Sequence, residues 1–113
     1  MKNRIAILEQ AGVISKSVQT YVNDVIDMLN KDFSQNKNGM EMLTTHLAMA
    51  TQRIINKEEI ELLDASIWNE VTQNKNFENA KNLYELISKN APVQFPESEQ
   101  RFLLMHLCNL YQN

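Results

Sequence analysis

Turn-forming residues are scarce in this chain. Two glycines and two prolines are all that punctuate 113 residues, which excludes the many tight turns of an all-β domain and favours long helices. A single cysteine, Cys108, excludes an intramolecular disulfide and fits a reducing compartment. No apolar run approaches the roughly 20 residues needed to cross a bilayer, and the apolar stretch behind Lys2 and Arg4 is cut by Glu9, so no signal peptide is visible. Basic residues are few and scattered. The formal charge is −3 and the pI about 5.3. Phosphate contacts need clustered positive charge, so direct nucleic-acid binding is disfavoured. No P-loop, dinucleotide fingerprint or nucleophile elbow occurs, and an enzyme is disfavoured for want of a nucleophile–base constellation. A cytoplasmic, non-membrane protein without cofactor or metal is expected.

What the chain does contain is enough apolar material for one core. Apolar residues make up 43%, with four Phe, three Tyr, one Trp and six Met. The length supports a single domain over residues 1–113. At this size roughly two thirds of the unfolded surface can be buried, so stability should be modest and a homodimer would help.

Spacing and punctuation predict five or six helices. A short N-terminal segment over Asn3–Gln10 stops at Ala11-Gly12. Ser15 or Ser17 caps the next, which carries Val18, Val22, Val25, Ile26, Leu29 and Phe33 at steps of three and four. After a polar loop over Ser34–Gly39, Asn38 and Glu41 read as a capping box opening a helix to about Asn56. Met40, Leu43, Leu47, Ala50 and Ile54 give it an a/d stripe. Lys57–Leu63 is ambiguous, because nothing there breaks a helix outright. Asp64 and Asn76 can each cap a helix, with Ile67, Trp68 and Val71 on the first and Phe77, Ala80, Leu83, Tyr84 and Ile87 on the second. The last helix begins near Pro96, where proline costs no hydrogen bond, and carries Phe102, Leu103, Leu107 and Leu110. An all-α, compact antiparallel bundle follows.

Both histidines, His46 and His106, fall mid-helix. Arg53 stands seven residues after His46, and seven steps of about 100° return to within ~20° of the start, so the two share a helix face. Glu99 precedes His106 by seven, with Phe102 on the same stripe. A lone histidine on an apolar helix is usually a packed, hydrogen-bonded residue, and alignment over seven positions is common by chance. A metal site is weaker still: no histidine lies four residues from another, and two ligands converging with Glu41 or Glu99 are not demanded. Cys108 and His106, two apart, point about 200° away from each other and form no nucleophile pair. The methionines read as gap-filling core or interface.

Two segments nonetheless resemble the paired histidine motifs of the PTS regulation domain (PRD). In Leu43-Thr44-Thr45-His46-Leu47-Ala48-Met49-Ala50-Thr51-Gln52-Arg53, a histidine is followed by an apolar residue and, seven positions on, by arginine. In Phe95-Pro96-Glu97-Ser98-Glu99-Gln100-Arg101-Phe102-Leu103-Leu104-Met105-His106-Leu107, a proline, a glutamate and an aromatic precede the histidine and a leucine trails it. The resemblance covers roughly residues 14–112. It implies a five-helix bundle, often dimeric, whose histidines accept phosphate from the phosphocarrier HPr or a sugar-specific EIIB component. By that analogy His46 and His106 are phosphoacceptors, Arg53 and Glu99 support them, and a downstream regulator reads the state. The family commonly has Asp before the first histidine; Thr45 stands here, so the second motif is the fuller match. The family also usually carries two such domains behind an RNA- or DNA-binding module, whereas one copy is present, which leads us to expect a stand-alone regulator. The competing readings are an unphosphorylated helical adaptor or structural dimer, and a small metal- or ligand-binding helical protein.

Overall fold

The computed structural model describes residues 1–59 and 61–112. They form six helices: α1 (Lys2–Gln10), α2 (Lys16–Phe33), α3 (Lys37–Ile55), α4 (Ala65–Thr72), α5 (Phe77–Ser88) and α6 (Glu97–Leu110). No strand occurs among the described residues. The all-α bundle expected from the sequence is therefore the fold.

Local chemistry sets most helix ends. Gly12, at φ +77°, closes α1: its amide and that of Val13 return to the Glu9 and Leu8 carbonyls, so two otherwise orphaned acceptors are satisfied. Ser15, one of the two expected caps, starts α2 by accepting from the Val18 amide. Asp64 does the same for α4 through the Ser66 amide at 2.8 Å. Pro96 is the N-cap of α6, just outside the helix.

One expected end is corrected and one ambiguous segment is resolved. The α3 cap is Asn36, not Asn38: its Oδ1 accepts from the Gly39 amide at 3.0 Å, so Lys37 and Asn38 already lie inside the helix. The same side chain's Nδ2 donates to the carbonyls of Asn109, Leu110 and Gln112 at 3.0, 3.1 and 2.7 Å. One residue thus caps the start of α3 and the end of α6 together. In the ambiguous segment, α3 stops at Ile55 because Lys57 takes a left-handed conformation, φ +59°. Its amide and that of Glu58 bond back to the Ile54 and Arg53 carbonyls. Glu61–Asp64 is not helical; Ile60 lies outside the described residues.

The core joins all six helices and reaches Ile5 on α1, further toward the N-terminus than the resemblance extends. The a/d stripe of α3 is deeply buried at Met40, Leu43, Leu47 and Ala50. It packs against α2 on one side and α6 on the other. The Ser34–Asn36 link between α2 and α3 is short enough to make them antiparallel neighbours. Tyr21 on α2 donates its hydroxyl to the Ile87 carbonyl at 2.6 Å, tying α2 to the end of α5. Burial raises that phenol's pKa. Trp68 on α4 lies under the Arg101 guanidinium, 5.0 Å away, which pins α4 to α6. Ile67, expected with Trp68 in the α4 core face, is exposed instead.

Candidate functional site

Each histidine sits one position before a core leucine. Leu47 and Leu107 are fully buried, so His46 and His106, about 100° earlier on their helices, fall at the seam where α3 meets α6. The seam brings the rings together: their centroids are 5.0 Å apart with planes inclined by 41°. Phe102, one turn before His106, lies 5.5 Å from the His46 ring.

Glu99 completes the cluster by crossing between helices. It stands two turns before His106 on α6, yet its Oε1 accepts a hydrogen bond from His46 Nε2 on α3 at 2.5 Å. Its Oε2 faces the Arg53 guanidinium at 3.8 Å, an ion pair too long to be a hydrogen bond. Glu99 is 0% exposed, while the side chains of His46 and Arg53 are 20% and 36% exposed. Glu99 Oε2 and Arg53 Nε are buried without a hydrogen-bond partner. A buried carboxylate with one oxygen unsatisfied is costly in isolation, so the cationic neighbour matters.

The expected alignments are therefore half kept. Arg53 does share a face with His46, whereas Glu99, aligned with His106 by register, pairs across the seam with His46. Helical spacing places residues on a face but carries no information about what the facing helix offers.

The two rings differ electrically. His106 is 9% exposed. Burial lowers its pKa to about 4; nearby His46 pushes the same way, and Glu99 pulls against both. Its imidazole is thus neutral at pH 7, with one nitrogen lone pair free. For His46, an ionised Glu99 carboxylate can only accept, so a neutral ring paired with it carries its proton on Nε2 and its lone pair on Nδ1. The more exposed histidine is the one in the less complete motif.

Two open depressions flank His46. The first, about 400 Å³, is lined by Arg4, Glu41, Thr45, His46, Arg53 and His106, with Met42 and Met49. The second, about 350 Å³, is lined by His46, Arg53, Glu59, Glu61, Glu99 and Phe102. Arg4, on α1, donates to Thr45 Oγ1 at 3.2 Å and lies 3.5 Å from Glu41. Sequence reasoning did not anticipate Arg4 here, and no local pattern marks a residue that acts 41 positions away. Among the described residues, no group of three His, Cys, Asp or Glu side chains is arranged to hold a metal ion. No described helix is long and apolar enough to cross a membrane.

A helical bundle that brings two mid-helix histidines together at one seam, one of them hydrogen-bonded to a buried glutamate, defines a class. The PRD domain family model matches residues 19–110, and the chain belongs to that family. It is also similar to the uncharacterized protein YhfY of Escherichia coli strain K12, 28% identical over 114 residues, covering 98% of this chain and 94% of that protein. No solved structure matches the chain.

Proposed function

We propose that this chain is a cytoplasmic regulatory domain of the phosphotransferase system, switched by histidine phosphorylation and acting through protein contacts in the control of genes for carbohydrate use. His46 and His106 are the acceptors, with His46 the first to be reached, and Arg53 and Glu99 support them. The single observation that carries this is the juxtaposition of two imidazoles, 5.0 Å apart, beside an open depression with a carboxylate fixing one ring.

The chemistry is a phosphoryl exchange. The Nδ1 lone pair of His46 attacks the phosphorus of a phosphohistidine on HPr or a phosphocysteine on an EIIB component. The donor's P–N or P–S bond breaks, and its electron pair returns to the donor imidazole or thiolate. Glu99, hydrogen-bonded to Nε2–H, stabilises the positive charge that develops on the ring. The product adds close to two negative charges, which Arg53 can pair and which Glu41 and Glu99 repel. Transfer to His106, whose neutral ring is adjacent, follows the same balance. The charge would bias helix packing or homodimer contacts by a few kcal/mol at most, enough for a switch. Exposed Met42, beside the cluster, supplies apolar area for such a contact.

Incubation with phosphorylated HPr or EIIB, followed by intact mass measurement at neutral pH, tests this. One phosphoryl adduct is expected, largely lost in His46→Ala and reduced in His106→Ala. No adduct from any donor would remove the phosphoacceptor role and leave a packing adaptor, for which the burial of His106 speaks.

A further inference from the structure

We infer that α1 completes the histidine cluster as an oxyanion site, in which Arg4 and Arg53 clamp a phosphoryl group carried on His46. This rests on the phosphoacceptor reading for the identity of the ligand, while the site itself rests on geometry alone. Residues 2–10 precede the segment that the family model matches, so α1 is not part of what that match describes.

The argument begins with the asymmetry between the two depressions that share His46. On the side of Arg53 formed by α6 and the segment that follows α3, one guanidinium faces three carboxylates, those of Glu59, Glu61 and Glu99. On the α1 side, two guanidinium groups, Arg4 and Arg53, face one carboxylate, Glu41. An added dianion is repelled from the first and attracted to the second. His106 opens onto the α1 side only, so a phosphoryl group on either ring meets the same pair of arginines.

Arg4 is free to respond. Its present partners are a neutral hydroxyl, Thr45 Oγ1, and a carboxylate at 3.5 Å, with both charged side chains about half exposed. Exposed pairs of this kind contribute little. A phosphoryl group offers three strong acceptors that match the guanidinium fork, and charge-assisted bonds to it outweigh the existing ones. Meanwhile α1 itself is anchored independently of Arg4. Ile5 is buried in the core, and Leu8 packs against it. Arg4 can therefore change partner without loss of the helix.

The test uses the full chain and inorganic phosphate as probe, with NMR of the arginine side-chain N–H groups as readout. Saturable shifts at Arg4 and Arg53 are expected, weakened roughly tenfold in Arg4→Gln, as for loss of one charge-assisted contact. Arg4→Lys should recover part of the affinity. Thr45→Asp should weaken binding too, by giving Arg4 a fixed counter-ion. Lys2→Gln removes a charge from the same helix away from the depression and should leave binding as in wild type. Equal binding in wild type and Arg4→Gln, an equal loss in Lys2→Gln, or no saturable binding in wild type would each overturn the inference. Phosphate binding through Arg4 in a chain that no donor phosphorylates would support the site while removing the phosphoacceptor reading, so the two fail separately.

Discussion

Glu99 and His46 are joined across the α3–α6 seam by a 2.5 Å hydrogen bond, although the helical register aligns Glu99 with His106. The carboxylate is sealed from solvent and held between two basic groups on α3. Glu99→Ala strands both, and is expected to lower the unfolding free energy by about 2–4 kcal/mol, as for deletion of one partner of a buried pair. Glu99→Gln keeps the volume and one acceptor, so it should cost clearly less while slowing phosphoryl acceptance. Urea unfolding of the two variants checks the order; equal losses would show that the charge is not what stabilises the seam.

Asn36 is expected to be the most sensitive loop position. Asn36→Ala removes the α3 cap and the donor to two α6 carbonyls and one just beyond that helix at once, a loss of about 1–3 kcal/mol. Asn36→Asp should be no better, although Asp is a good N-cap. It would set a carboxylate against the carbonyls of Asn109, Leu110 and Gln112. Gly39→Ala should also destabilise, because a Cβ there would meet Asn36 Nδ2 at 2.8 Å. Thermal melts of the three variants decide this, and an Asn36→Asp chain as stable as wild type would contradict the double-cap role.

Stability should depend on pH through His106. An unfolded histidine titrates near 6.5 and the folded one near 4. Between those values the unfolded chain binds more protons, so the contribution is complete above about pH 6.5 and lost as pH falls toward 4. Its size is on the order of 3 kcal/mol. His106→Asn should flatten that part of the profile, measured as urea midpoint against pH. Parallel profiles for the two chains would exclude His106 as the source.

Lys57 occupies a left-handed position that favours glycine. Lys57→Gly is expected to stabilise by about 0.5–1 kcal/mol and Lys57→Val to destabilise by more, read from chemical unfolding. The effect should extend to the cluster, since the Glu58 amide bonded to the Arg53 carbonyl closes the turn that presents Arg53.

The parts of the fold legible from sequence are those whose causes are local. The α2 and α3 stripes follow from apolar steps of three and four, and Ser15 and Asp64 cap amides two or three residues away. Asn36 was hidden because its other partners lie 73 to 76 residues downstream. The break after α3 is hard to read, although its end near Asn56 is legible, because lysine, not glycine, takes the left-handed turn. At the cluster, motif spacing singles out His46, Arg53, Glu99 and His106, while the cross-seam bond and Arg4 depend on packing that periodicity does not encode.

The closeness of the two rings has a consequence for how much the domain can remember. Near-dianions carried on two rings whose centroids lie 5.0 Å apart would repel by on the order of 1–3 kcal/mol even at the dielectric of water, and by more in the partly dry seam. On the proposed reading, occupancy of one histidine would oppose occupancy of the other. The pair would then store a single bit, with a second donor able to move the mark between rings but not to add to it.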